Sequence, residues 1–223
     1  MKFTLLKRAV SEFIGTSFLL AIVVGSGIMG EKLSNGNDAV ALLANTLATG
    51  AGLVFLILTF GSISGAHFNP VVSLVEVFHK NLSWRDLIVY ILAQILGGIF
   101  GTALANLMFE LPVFFVSTKI RTGNAQYLSE IIATFGLIAV ILATTKFRPT
   151  TTPFAVAAFI TSAYWFTAST SFANPAVTIA RSLSNTFAGI HPADILPFIL
   201  TQIVGAISAY IIFRWLLKEN QNE

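Results

Sequence analysis

Ser64-Gly65-Ala66-His67-Phe68-Asn69-Pro70-Val71-Val72-Ser73 and, further along, Ser171-Phe172-Ala173-Asn174-Pro175-Ala176-Val177-Thr178 are the stretches that decide the fold of this 223-residue chain. Asn favours the cap of a helix N-terminus, and Pro suits the first helical position, where no backbone N–H is needed. Each Asn-Pro pair therefore predicts a helix start. Both pairs lie deep inside apolar sequence, Ala39–Val75 and Pro149–Ala180, stretches of 37 and 32 residues. One membrane crossing needs about 20 residues, so each stretch holds a crossing and roughly half of another. About ten residues follow each pair before polar sequence returns, at Lys80 and near Asn185; they rise ~15 Å, half of a ~30 Å hydrocarbon core. Two such half-helices, entering from opposite faces, would meet at the midplane.

The rest of the chain agrees with a membrane solvent. Apolar residues make up 55% and charged residues 10%, against about 25% charged in soluble domains. A water-soluble globule is excluded, and 20 Phe exclude a disordered chain. Cysteine is absent, so there is no disulfide frame and no thiolate chemistry. Between charges lie four further apolar stretches, Phe13–Gly30, Leu87–Phe109, Ile131–Thr145 and Ile195–Phe213, one helix each, with Ile131–Thr145 borrowing residues around Glu130 to reach full length. Continuous apolar runs argue against a β-barrel, which alternates residue by residue. Lys2, Lys7 and Arg8 before an apolar run could suggest a signal peptide; Glu12 and the lack of a clear cleavage site favour a retained helix. In a six-span arrangement nine Lys and Arg residues fall on one side and four on the other. The positive-inside rule then places both termini in the cytoplasm. This bias accounts for the net charge of +3 without a nucleic-acid partner.

The halves, about 1–118 and 119–223 of a single domain, echo each other in order. Glu12-Phe-Ile-Gly-Thr16 pairs with Glu130-Ile-Ile-Ala-Thr134, Asn69-Pro70 with Asn174-Pro175, and Gln94 with Gln202, at offsets of 118, 105 and 108 residues. Three spans per half is an odd number, so the second half enters from the opposite face, an inverted repeat. Irregular backbone at the midplane is tolerated only against protein or a water-filled cavity. Gly61–Gly65 and Thr167–Ser171 are expected to supply it, as a ladder of carbonyl acceptors, with the two Asn amides as central donors. The positive ends of the half-helices oppose cations there. The pattern reads as a pore for small neutral hydrogen-bonding solutes. An ordinary Asn-capped turn would explain one motif, but not two at repeat-equivalent positions.

With these motifs the chain resembles the aquaporins, the major intrinsic protein family, from Glu12 to about Trp215. The resemblance implies an all-α membrane protein of six transmembrane helices plus two re-entrant half-helices in a right-handed bundle, assembled as a homotetramer with one pore per subunit. The first motif, Asn69-Pro70-Val71, departs from the family's usual Asn-Pro-Ala, which stands intact at Asn174-Pro175-Ala176. In the family, four positions line an outer constriction; counted without gaps from the Asn residues they fall at Thr49, Ser162, Ser171 and Val177. The fourth is usually Arg and here is Val, which implies a wider, neutral filter. Arg181, one turn beyond, is expected to lie off it. Val in that place resembles a bacterial branch found in arsenic-resistance operons. That likeness implies passage of water, polyols such as glycerol, and undissociated acids including arsenite, in a bacterial inner membrane.

Glu12 and Glu130 within membrane helices are functional candidates by default. They could serve a proton-coupled secondary transporter, the alternative reading. Symmetry favours a structural role, with Glu12 against His67 and Glu130 against backbone near Ser171. His67 reads as a packing partner, and Gln94 and Gln202 as ties between helices. Lys119 to Gln126 reads as an external loop. No catalytic set, metal site or cofactor motif is expected.

Overall fold

The computed structural model describes residues 2–219, which form eight α-helices. These are α1 (Leu5–Leu33), α2 (Asp38–Ser64), α3 (Pro70–Phe78), α4 (Trp84–Met108), α5 (Asn124–Phe147), α6 (Thr152–Phe166), α7 (Pro175–Arg181) and α8 (Ile195–Leu216). Single 3-10 turns, Pro149–Thr151 and Pro192–Asp194, lead into α6 and α8. Five helices, α1, α2, α4, α5 and α8, are long and apolar enough to cross a membrane. The sixth candidate, α6, has 15 residues. Proline at Pro149 and Pro153 sets its start, and it ends where the chain turns back at Thr167.

The long helices overrun the apolar stretches that delimit them in the sequence. α1 is 29 residues, so Lys7, Arg8 and Glu12 at one end and Glu31 and Lys32 at the other all lie within it. At 1.5 Å per residue it measures roughly 43 Å, enough for its ends to reach polar surroundings. Arg8 pairs with Asp86 at the start of α4, 2.8 Å apart. A second correction concerns the first irregular segment. α2 remains helical through Gly61-Ser-Ile-Ser64 and stops at Gly65, whose φ of 93° only glycine adopts cheaply and whose N–H bonds the Gly61 carbonyl. The irregular backbone before α3 is therefore 65–69, not Gly61–Gly65, while Thr167–Ser171 lies in irregular backbone as expected.

Packing repeats between the halves: α1 lies on α4 and α2, and α5 on α8 and α6. Small residues set the approach. A Cβ on Gly101 of α4 would lie 2.0 Å from the Ser17 carbonyl oxygen of α1, and one on Gly205 of α8 would lie 2.5 Å from the Ile131 carbonyl oxygen of α5. The bundle is inverted relative to a soluble protein. Glu12, Gln94, Thr102, Glu130 and Gln202 are fully buried, whereas Phe18, Leu47, Leu96, Leu128 and Ile211 are exposed. One face carries both ends of the described chain, with Lys146 bonded to the Leu217 carbonyl and Tyr210 to that of Phe78. The opposite face carries segment 109–123, paired with 182–194 through Phe115 N to Leu183 O (3.1 Å) and Ser117 N to Ser182 O (2.9 Å).

Candidate functional site

The tips of α3 and α7 meet, and their caps are interlocked. Asn69 Oδ1 accepts from the Val71 N–H (3.1 Å), and Asn174 Oδ1 from the N–H groups of Ala176 (3.0 Å) and Val177 (3.3 Å). The amide nitrogens then reach across. Asn69 Nδ2 donates to the Ala173 carbonyl and Asn174 Nδ2 to the Phe68 carbonyl, both at 2.8 Å. Each amide has two N–H groups, so these bonds leave a second donor on each Asn, and both residues border the central cavity.

The backbone that delivers the tips is strained at matching places. Ala66 and Phe68 have φ of 50° and 48°; Ser171 and Ala173, at the same offsets before the second Asn, have 49° and 46°. Non-glycine residues rarely hold this region, and surroundings must over-determine it. Two buried carboxylates do so. Glu12 accepts from Ser64 Oγ (2.6 Å), the His67 N–H (3.0 Å), the Phe68 N–H (2.7 Å) and Gln94 Nε2 (2.8 Å). Glu130 accepts from the N–H groups of Phe172 (2.9 Å) and Ala173 (2.8 Å) and from Gln202 Nε2 (2.6 Å). Each glutamine also donates to the hydroxyl of the half-helix it faces, Gln94 to Ser73 and Gln202 to Thr178, both 2.9 Å. Glu12 thus meets the His67 backbone; the His67 ring turns away to Ser73 Oγ (3.0 Å) and lies tilted against the Tyr90 ring, centroids 5.2 Å apart.

Beside the tips runs a cavity of about 270 Å³. It is bordered near the termini face by Glu76, Thr145 and Thr152, and near the other by Thr49, Tyr164 and Arg181. Thr49, Ser171 and Val177 border it. Ser162 does not. It is exposed, with its hydroxyl donating to the Phe159 carbonyl (2.7 Å). On α6 the bordering residues are Val156, Ile160 and Tyr164. Ser162 stands two positions from the latter pair, about 200° around the helix. In its stead Tyr164 presents a hydroxyl 3.4 Å from that of Thr49.

Arg181 is the second departure: it borders the cavity instead of standing clear of it. Its guanidinium covers the Phe172 ring at 3.5 Å from the centroid, and Nε donates to the Ala188 carbonyl. The cavity is therefore not lined by neutral groups alone. Arg121, which the sequence marked only as part of a loop, is buried at the same end. It lies 4.8 Å from the Phe172 ring and donates to the carbonyls of Gly189 (2.9 Å) and Ser169 (3.2 Å). Burial pulls its pKa down to about 10, so it stays charged at neutral pH. No local pattern distinguishes Arg121 from an exposed loop arginine; only the return of 182–194 over segment 109–123 encloses it. Among the described residues, no group of three or more His, Asp or Glu is placed to hold a metal ion.

Comparison with known proteins agrees with this geometry. The family model described as major intrinsic protein matches residues 1–162. Aquaglyceroporin AqpS of Rhizobium meliloti is 54% identical over 97% of this chain and 93% of its own length. Aquaporin A of Dictyostelium discoideum is 32% identical over 94% of this chain and 78% of its own. The X-ray structure of the aquaglyceroporin from Plasmodium falciparum shares the fold with a TM-score of 0.74 at 21% identity, covering 96% of this chain and 97% of that one. Five long apolar helices, an inside-out distribution of polar residues and two interlocked half-helix tips beside a cavity are features of an integral membrane channel, not of an enzyme. The chain belongs to the major intrinsic protein family.

Proposed function

We propose that the chain is a passive channel that admits water together with larger uncharged solutes, polyols of glycerol size and undissociated acids such as arsenous acid. The observation that carries this reading is Val177. In a cavity bordered by Thr49, Tyr164 and Ser171 it contributes an aliphatic side chain, 6% exposed, where a longer residue would narrow the passage. The hydroxyls of Thr49, Tyr164 and Ser171 act as donor or acceptor for a solute hydroxyl, and the Asn69 and Asn174 amides donate at the centre. The name of the Rhizobium meliloti relative, aquaglyceroporin, supports a passage wider than water needs.

In this reading α6 with its 3-10 turn is the sixth crossing, the termini face is cytoplasmic, four copies assemble in the inner membrane of a bacterium, and each copy holds its own pore. The coupled-transporter alternative needs carboxylates that exchange partners. Glu12 and Glu130 instead hold backbone amides, as a fixed scaffold does. Light scattering of proteoliposomes under osmotic and glycerol gradients tests the proposal. Shrinkage followed by reswelling faster than in empty liposomes is expected. Water flux without glycerol entry would reject the wide passage, and neither flux would reject the channel.

A further inference from the structure

We propose that the end of the cavity near Arg181 binds a small monovalent oxyanion, a carboxylate or a singly ionised oxyacid, a proposal that deepens the channel reading above and rests on it. The starting observation is a buried charge without a counter-charge. Arg181 is 2% exposed, and among the described residues no carboxylate lies within ion-pair distance of it. Its Nε bonds a carbonyl and one face covers Phe172. Nη1 and Nη2 have no hydrogen-bond partner among the described residues, and the side chain borders the cavity.

The strongest neighbouring charge, Arg121, is of the same sign, and the Glu130 carboxylate opposes it only from beyond ion-pair distance. Arg121 shares the Phe172 ring, while Asp194 is held by the Arg121 N–H and the Thr122 hydroxyl. The Glu130 oxygens are taken by two backbone amides and Gln202. An unpaired buried ion is costly, and a ring contact with one carbonyl bond offsets only part of that cost. A second orphan lies at the same end: Ser171 Oγ, on a residue 3% exposed that borders the cavity, has no hydrogen-bond partner. An oxyanion satisfies both, taking parallel bonds from the guanidinium fork and one from a hydroxyl. A polyol would use the same donors but leave the charge uncompensated, and a cation is repelled. The neutral acid and its conjugate base therefore meet the same mouth on different terms, one passing and the other held.

The test uses the purified full chain in detergent, titrated with sodium formate, and follows the formate proton by saturation-transfer difference NMR against a sodium chloride reference of equal ionic strength. Saturable transfer is expected for the wild type. Arg181→Met should weaken it about tenfold, as loss of a charge-assisted hydrogen bond does, and Arg181→Lys less, since a point charge lacks the fork. Equal binding in the wild type and Arg181→Met, or none in the wild type, overturns the site. Elution volume and circular dichroism report whether Arg181→Met is folded. Should it misfold, Arg181→Lys decides: weakened binding supports the site and wild-type binding overturns it. Formate binding in a protein that passes neither water nor glycerol would retain the anion site and remove the channel reading, which separates the two failures.

Discussion

Asn69 and Asn174 each fasten two things at once, the first turn of their own half-helix through Oδ1 and the opposite loop through Nδ2. Glu12 and Glu130 fix the same loops from behind by accepting their amides. Glu130→Ala would leave the Phe172 and Ala173 N–H groups facing no acceptor, and Gln202 Nε2 with the Thr178 hydroxyl alone. At about 1–3 kcal/mol for each buried unsatisfied donor, the variant should lose most of its folded yield in detergent, measured by thermal unfolding on size-exclusion fractions. Normal yield with loss only of a proton-dependent flux would contradict the structural role. Val177→Arg is the second prediction at this scale. Filling the passage there should slow glycerol entry about tenfold, a barrier of roughly 1.4 kcal/mol, with a much smaller effect on water. Equal loss of both in light scattering would show that the constriction lies elsewhere.

Among elements, the contacts of α4 with α1 and of α8 with α5 permit no bulk. Gly101→Val would drive a side chain into the Ser17 carbonyl, which backbone cannot yield, and should lower thermal stability sharply by overpacking. Gly61→Ala is the matched opposite. Nothing lies within 4 Å of its would-be Cβ, and it sits in the helical part of α2, so a gain of about 0.5–1 kcal/mol is expected. A Tm for Gly61→Ala below that of the wild type would count against this packing. The same scale shows what sequence discloses. Asn-Pro marks both half-helices because cap and first-turn chemistry are local, and α3 and α7 begin at Pro70 and Pro175. Ser162 lies off the cavity because counting back from Asn174 crosses irregular backbone, 167–174, whose path fixes which face of α6 looks inward. Arg121 and Arg181 gain their place from tertiary enclosure by 182–194, which no local spacing encodes.

For the whole molecule, the two-fold echo of Glu, Asn and Gln is legible because an inverted repeat needs the same bonds twice, and the same bonds do occur twice. The proposed orientation rests on charge. With nine basic residues against four, a fluorescent protein fused after Glu223 should fold and shine in the cytoplasm of a bacterial host, and a dark fusion at normal expression would reverse the assignment. The central claim is that solute passes beside the interlocked tips, and the lack of native cysteine makes it directly measurable. Water flux through Val177→Cys in proteoliposomes should fall by most of its value on mercurial treatment and return with a thiol reductant, while the wild type is unaffected. Complete modification of that cysteine with undiminished flux would contradict the claim.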